Sequence, residues 1–137
     1  MKQKDIEQVI QAAQNLIKER YQKDGHHFVV AAALLTYNGN LYTGLNLGTT
    51  QPSVSMCAET SAIARAVMAE TDMKIKLIAV VRDKEAYLVS PCGRCREFIA
   101  DYGDENTLVV VPAGNTKGYE VHKIGDLLPV KYEKKCL

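Results

Sequence analysis

Residues 75–111 decide the fold, and they read IKLIAVVRDKEAYLVSPCGRCREFIADYGDENTLVVV. Their pattern predicts, in order, a strand, a short extended piece, a helix and a second strand: Ile75–Val81, Ala86–Val89, Pro91–Tyr102 and Leu108–Val111. Pro91 is expected to open the helix, because proline is tolerated in a first turn, and the helix stops near Gly103. A strand, a helix and a strand in succession form a crossover unit, which is typical of an α/β fold.

The segments on either side of this unit continue the alternation. Upstream, the pattern predicts an amphipathic helix, a hairpin, a loop and a second helix: Ile6–Ile17, Phe28–Leu35 with Leu41–Leu45, Leu47–Met56 and Cys57–Glu70. An Asn-Gly pair at Asn38 and Gly39 supplies the hairpin turn. Downstream, an edge strand near Tyr119–Val121 precedes a short helix near Ile124–Leu128. We therefore expect a mixed sheet with helices on both faces.

The composition narrows the classes of function. The 137 residues fit one domain spanning 1–137, and the 47% hydrophobic content suits a protein with a real core. Lys and Arg number 17 against 16 Asp and Glu, so the net charge of +1 favours a small neutral substrate over a polynucleotide. No apolar run is long enough for a membrane span, and the charged N-terminus lacks a signal-peptide core. We expect a soluble, cytoplasmic protein.

Two short motifs carry the chemistry: Cys57-Ala58-Glu59 and, 35 positions after its cysteine, Pro91-Cys92-Gly93-Arg94-Cys95. Cys92 and Cys95 lie three residues apart at a helix start and present both sulfurs on one face, while Cys57 opens another helix. In a reducing cytosol such cysteines bind metal or do redox chemistry more often than they form disulfides. Three protein ligands leave the fourth position of a tetrahedral zinc ion to water, which is typical of a catalytic site.

Glu59 is placed beside that metal without being needed as a ligand. Zinc lowers the pKa of a bound water to roughly 7, and helix N-termini favour the thiolates that hold the ion. Glu59 can take the proton of the water and pass it to a ring nitrogen and a departing amine. Zinc deaminases of nucleobases combine a histidine or cysteine ligand with such a glutamate. The motifs predict one catalytic zinc per subunit.

Other interpretations of the cysteines stay open. A Cys-x-x-Cys pair alone could be a redox pair, half of a structural zinc site or a chance match. A structural site needs a fourth ligand, and Cys136 is the only spare cysteine, in a charged tail. His26, His27 and His122 follow no metal spacing and are expected to be surface or turn residues. The joint pattern of the two motifs favours catalytic zinc.

The two motifs resemble those of the cytidine deaminase superfamily, in particular its small single-domain branch of cytidine deaminases and blasticidin-S deaminase. The resemblance covers nearly the whole chain and includes Phe28 with Ala31–Leu34, Gly44–Asn46 and Leu127–Pro129. It implies a three-layer αβα fold with a mixed five-stranded sheet. It also implies a homotetramer whose active sites lie near subunit interfaces.

The resemblance further implies roles for individual residues. The zinc ligands and the proton carrier would be Cys57, Cys92, Cys95 and Glu59. The backbone N–H of Ala58 would donate to the pyrimidine carbonyl, and the Ser90 carbonyl would accept from the exocyclic amine. Phe28 would pack near the bound nucleoside, and Asn46 would reach a sugar hydroxyl. The structural alternatives are a core aromatic for Phe28 and a plain turn residue for Asn46.

Two positions depart from the family pattern. Gly48 stands where cytidine deaminases of this type carry a ribose-binding glutamate, and losing such a charge-assisted bond costs roughly 1.5–3 kcal/mol of binding. Thr60 stands where the family often has an arginine that offsets the charge of three thiolates. Arg94 could supply that charge from the other helix, unless it is a solvated helix-start residue. A C-terminal aromatic helps to close the pocket of blasticidin-S deaminase, and Tyr132 is the candidate here.

Three functions remain, in order of preference. The first is a zinc-dependent hydrolytic deaminase that removes the N4 amine from the cytosine ring of a free nucleoside or a nucleoside-like antibiotic. The second is a plain cytidine and deoxycytidine deaminase of pyrimidine salvage, and the third is a structural zinc or redox module without turnover. Gly48 sets this order, because it puts ordinary cytidine in doubt as the best substrate. Editing of polynucleotides ranks lowest, since the first ligand is cysteine rather than the histidine typical of those branches.

Overall fold

The computed structural model describes residues 1–22, 28–114 and 118–133. Its helices and strands are α1 (Gln3–Arg20), β1 (Val30–Thr36), β2 (Leu41–Leu45), α2 (Ala58–Ala69), β3 (Ile75–Arg82), β4 (Tyr87–Val89), α3 (Gly93–Asp101), β5 (Leu108–Pro112) and β6 (Tyr119–Lys123). Two short 3-10 turns accompany them, at Pro52–Val54 and Ile124–Leu127. His26, His27 and Cys136 lie outside the described residues. None of the described helices is long and apolar enough to cross a membrane.

A mixed sheet forms the middle layer. Five strands follow one another in the order β2-β1-β3-β5-β6, with β3 and β5 parallel and the other neighbours antiparallel. β4 adds a short sixth strand, which pairs with Val80–Arg82 of β3, beyond the residues that pair with β5. The predicted α/β class and the mixed five-stranded row are confirmed.

Side chains alternate between the two faces of the sheet, and each face has its own core. Ala32 and Ile78 pack on the side of α2 and α3, whereas Ala31 and Leu77 pack on the side of α1. The predicted apolar stripe of α1 is buried at Ile6, Val9, Ala13 and Ile17. The sheet is therefore covered on both faces, as the three-layer prediction requires.

α2 approaches β2 closely at Gly44. A Cβ atom on this residue would lie 2.4 Å from the backbone nitrogen of Ala62 and 2.6 Å from the carbonyl oxygen of Ala58. The requirement is one of space, because Gly44 is not among the residues with a positive φ. β2 thus fixes the position of the start of α2, where the first cysteine motif lies.

Both cysteine motifs lie where a helix begins. Cys57 and Cys92 are N-cap residues with extended backbones, at φ −71°, ψ 155° and φ −69°, ψ 168°. Because Cys92 keeps this extended backbone, α3 begins at Gly93, two residues later than predicted. Pro91 therefore precedes the cap and does not occupy the first turn, which corrects the expected start of this helix.

Candidate active site

Three thiols meet where α2 and α3 begin. Within the part of the chain that the structure describes, the Sγ atoms of Cys57, Cys92 and Cys95 lie within 4.8 Å of one another. A tetrahedral zinc ion with Zn–S bonds of about 2.3 Å holds its sulfur ligands about 3.8 Å apart, so small side-chain rotations bring this cluster to the required spacing. The donor set fits zinc. His122 lies on β6 with its Nε2 2.9 Å from Glu120, consistent with its exclusion from the ligand set.

The surroundings of the three thiols differ in how they affect ionisation. Burial raises the pKa of Cys57 and of Cys95, and the neighbouring Glu59 carboxylate raises that of Cys95 further. Cys92 is also partly desolvated, but the Cys95 N–H donates to its sulfur and its pKa is lowered. The helix N-termini alone therefore do not stabilise three thiolates. A divalent metal held by these three sulfurs would supply the missing positive charge and favour their thiolate forms.

Glu59 lies beside this cluster in the first turn of α2. The residue is only 4% exposed, and burial raises the pKa of its carboxyl above the usual value. A buried carboxyl with a raised pKa can accept and return a proton nearer to neutral pH than an exposed one. The four residues of the predicted catalytic centre are thus brought together by two helix starts.

A cavity of about 430 Å³ opens onto Glu59 and the thiol cluster. This volume falls within the range of small-molecule sites. Three predicted substrate contacts, Asn46, Ala58 and Ser90, line the cavity. Phe28 is not among the lining residues of the described chain, and the guanidinium of Arg20 lies 5.5 Å from its ring centroid.

Asn46 also has a structural role. Its Oδ1 accepts hydrogen bonds from the backbone N–H groups of Val29 and Val30, both at 2.9 Å. These bonds tie the end of β2 to the start of β1, and they fix the orientation of a side chain that lines the cavity. The sugar contact of Asn46 and the nucleoside contact of Phe28 stay predictions.

Arg94, Thr60 and Tyr132 were considered where the chain departs from the family pattern, and their surroundings differ. Arg94 lines the cavity and donates from Nη1 to the Ser55 carbonyl at 3.1 Å, which joins α3 to the loop that contains Gly48. Thr60 is 7% exposed, and its Oγ1 has no hydrogen-bond partner among the described residues. Tyr132 is 79% exposed and does not line the cavity of the described chain. The roles suggested for Arg94 and Tyr132 stay predictions.

Arg96 organises the second motif, and sequence reasoning missed it. Its Nε donates to the Pro91 carbonyl at 2.9 Å, its Nη1 to the Leu127 carbonyl at 2.9 Å and its Nη2 to Ser90 Oγ at 3.0 Å. One side chain therefore holds the approach to α3 and the turn after β6 in fixed positions. The sequence carries no signal for this role, because an arginine after Cys95 looks like an ordinary charged helix residue.

The region that contains both motifs matches a known family model. The model describes the cytidine and deoxycytidylate deaminase zinc-binding region, and it matches residues 3–111. The chain belongs to the cytidine deaminase family. In this family member, Cys57, Cys92 and Cys95 form the zinc site of an aminohydrolase. Zinc, when bound, supplies the Lewis acidity that makes water nucleophilic at neutral pH.

Individual proteins of the cytidine deaminase family match along almost their whole length. The cytidine deaminase of Sporosarcina psychrophila is 34% identical, over 97% of this chain and 95% of its own. The blasticidin-S deaminase of Bacillus cereus is 30% identical, over 96% of this chain and 94% of its own. The crystal structure of cytidine deaminase from Mycobacterium leprae has a TM-score of 0.77 at 26% identity, covering 91% of this chain and 98% of that one. The predicted family, fold class and zinc cofactor are confirmed.

Proposed function

We propose that this protein removes the N4 amine from the cytosine ring of a free nucleoside, with cytidine and deoxycytidine as the primary candidates. The observation that carries the proposal is the buried Glu59 carboxyl beside three clustered thiols, facing a cavity of about 430 Å³. The name of the Sporosarcina psychrophila relative supports cytidine over the antibiotic that Gly48 led us to prefer. The order of the first two candidates from the sequence is therefore reversed.

In the proposed mechanism, Glu59 carries the protons. It takes one proton from the attacking water and delivers it to the ring nitrogen, and it then moves the second proton of that water to the departing amine. The water oxygen first bonds to C4, and the C4–N4 bond breaks once the amine is protonated, so ammonia leaves and the added oxygen becomes the C4 carbonyl of a uracil ring. The Ala58 N–H orients the ring through its carbonyl, and the Ser90 carbonyl accepts from the amine. Both residues line the cavity, which supports these roles.

A nucleoside-like antibiotic is the second candidate substrate. Gly48 lines the cavity and carries no carboxylate for a ribose, and one relative of similar length is named blasticidin-S deaminase. The missing charge-assisted bond amounts to roughly 1.5–3 kcal/mol, which is enough to change the order of two substrates. Polynucleotides fit less well, because the net charge of +1 offers little to a phosphate backbone.

The test is the loss of cytosine absorbance when zinc-loaded protein meets cytidine, deoxycytidine, free cytosine or blasticidin S. We expect Glu59→Gln to lower kcat by at least ~100-fold, because the amide cannot carry a proton. Glu97→Gln is the matched control, since Glu97 is a partly exposed carboxylate on α3 that pairs with Lys131 at 3.6 Å. An unchanged rate in Glu59→Gln would rule out the acid–base role of Glu59.

The substrate panel separates the two candidate substrates. Fast turnover of cytidine means that the cavity finds its ribose contacts without a carboxylate at position 48. Turnover of blasticidin S with little turnover of cytidine means that Gly48 marks a changed sugar pocket. No turnover of any of the four compounds contradicts the proposed deaminase.

A further inference from the structure

Arg82 lies at the end of the cavity that is far from the thiol cluster. It is the last residue of β3 and pairs with Tyr87 of β4, whereas Val80 pairs with Val89. The chain runs from Val89 straight into the motif of Cys92, so the direction from Val80 to Arg82 leads away from the zinc ligands. Val80 and Arg82 are two residues apart on the strand, which corresponds to about 7 Å.

The side chain of Arg82 is on the cavity face of the sheet. Val80 and Arg82 are two residues apart on one strand, so they share a face, and both line the cavity. Arg82 also pairs with Val30 of β1, a lining residue whose N–H is held by Asn46. The Arg82 position is therefore next to the part of the cavity that Asn46 and Gly48 line.

Arg82 brings a positive charge to this end of the cavity. Among the described residues that line the cavity, Glu59 is the only carboxylate, and it lies beside the thiols. The ion pair that the structure describes for Arg82 is long, with Nε 3.8 Å from Asp83 Oδ1. Asp83 also accepts a hydrogen bond from the Tyr87 hydroxyl at 2.8 Å. With its side chain 52% exposed, Arg82 has donors available to a ligand.

We propose that Arg82 is a specificity-determining residue that binds an anionic group, a carboxylate or a phosphate, on the sugar portion of the substrate. This inference rests on the proposed function, which places the cytosine ring at Glu59 and the sugar portion towards Arg82. A guanidinium binds either anion through paired N–H donors, a contact that a neutral sugar hydroxyl cannot match. Gly48 is consistent with such a ligand, because a glutamate at this position would repel it.

The test compares kcat/KM on cytidine, cytidine 5′-monophosphate and cytidine 5′-carboxylate for the zinc-loaded enzyme and two variants. Arg82→Gln removes the proposed contact, and Lys84→Gln removes the same charge from an exposed residue that does not line the cavity. We expect at least one acid to exceed cytidine in kcat/KM. Arg82→Gln should lower that value about 10- to 100-fold, mainly through KM, and leave cytidine within about threefold.

The outcomes separate the inference from the function on which it rests. Equal losses on an acid and on cytidine, or equal losses in both variants, overturn the role of Arg82. Turnover of cytidine without preference for either acid also overturns it, while the proposed function stands. No turnover of any substrate overturns both. Should Arg82→Gln fail to fold, Arg82→Lys keeps the charge without the paired donors, and a selective loss on the acids again supports the contact.

Discussion

Among single residues, Arg96 shows how the second motif is held in shape. Its guanidinium reaches three acceptors in different segments, whereas a lysine in its place offers one nitrogen. We expect Arg96→Lys to lower the Tm and to weaken zinc retention by about 10-fold, because supports around ligands fix their orientation. Competition with a chromophoric chelator measures the zinc affinity, and a thermal melt measures the stability.

Arg65→Lys is the matched control for this prediction. Arg65 is an exposed arginine of α2 that donates to the Thr43 carbonyl at 2.9 Å and does not line the cavity. Its replacement by lysine should leave zinc retention unchanged. Equal zinc affinities in the two variants would contradict a positioning role for Arg96.

Spacing along the chain predicts some site residues and misses others. Cys92 and Cys95 could be placed together from sequence, because residues three apart on one helix share a face. Their meeting with Cys57 was predicted from the joint pattern of the two motifs and is found in the structure. Arg82 and Arg96 could not be predicted, because a charged residue at a strand end or a helix start usually faces solvent. The surroundings of Arg82 depend on strand pairing across the sheet. Those of Arg96 depend on contacts with carbonyl groups that are distant in the sequence.

At the level of secondary-structure elements, α2 approaches β2 so closely that position 44 has no room for a side chain. Gly44→Ala puts a methyl group 2.4 Å from the Ala62 nitrogen, so the helix start must move away from the strand. We expect a loss of about 1–3 kcal/mol in the free energy of unfolding, together with weaker zinc binding at Cys57. Urea denaturation of the zinc-loaded protein checks the first effect, and chelator competition checks the second.

Gly125→Ala provides the comparison for Gly44→Ala. Gly125 lies in a 3-10 turn, has no positive φ and would place its Cβ in open space. The same substitution at this position should change the free energy of unfolding by less than about 0.5 kcal/mol. A Gly44→Ala protein as stable as Gly125→Ala would mean that α2 and β2 can move apart with little loss in the free energy of unfolding.

Glu70 ties the hairpin to the end of α2, and this contact depends on pH. Its carboxylate accepts hydrogen bonds from the side chains of Asn38, Asn40 and Thr36, and the bond from Asn38 contributes most to lowering its pKa. A lowered folded-state pKa stabilises the protein above the unfolded value of about 4.3, and the contribution is lost as pH falls through the folded value. Glu70→Gln should therefore lower the Tm by a few degrees at pH 7 and by less below about pH 4.

Thermal melts across pH 3 to 8 check the Glu70 prediction. Glu19→Gln is the control, because Glu19 is an exposed carboxylate of α1. This surface substitution should change the stability by less than about 0.5 kcal/mol. A Tm difference for Glu70→Gln that stays constant with pH would show that the hairpin does not depend on the charge.

The strands and helices followed from the sequence where the pattern was strong. The buried run of β1 and the Asn-Gly turn at Asn38 and Gly39 fix the hairpin, since both signals act within a few residues. The start of α3 was misplaced, because Pro91 suits a first turn, whereas Cys92 has the extended backbone of an N-cap residue. β4 has only three residues, and its pairing with β3 could not be predicted from so short a segment.

For the molecule as a whole, an apolar groove on α2 and α3 is left uncovered in a single chain. Met68 is 87% exposed, and Phe98 and Tyr102 stack beside it with ring centroids 6.3 Å apart. The resemblance implies a homotetramer, and we expect another copy to cover this groove. Light scattering should give about four times the chain mass of 15.1 kDa, and Met68→Glu should shift the mass to smaller species.

Gln11→Glu is the charge-matched control for Met68→Glu. Gln11 is an exposed residue of α1, on the opposite face of the sheet. This variant should keep the assembly of the parent protein. A monomeric parent, or a Met68→Glu protein with unchanged mass, would contradict the expected interface.

The position of the zinc ligands in the chain has a consequence for synthesis. Cys57 emerges from the ribosome 35 residues before Cys92, and β3, which lies between them, pairs with β1, which lies before Cys57, and with β4. Long-range pairing of this kind is slow compared with the formation of a helix. A nascent chain that ends before Cys95 cannot hold the ion with all three sulfurs. Stable capture of the metal by all three sulfurs therefore requires the chain up to Cys95 and the meeting of the two helix starts, and it can be timed in a refolding experiment.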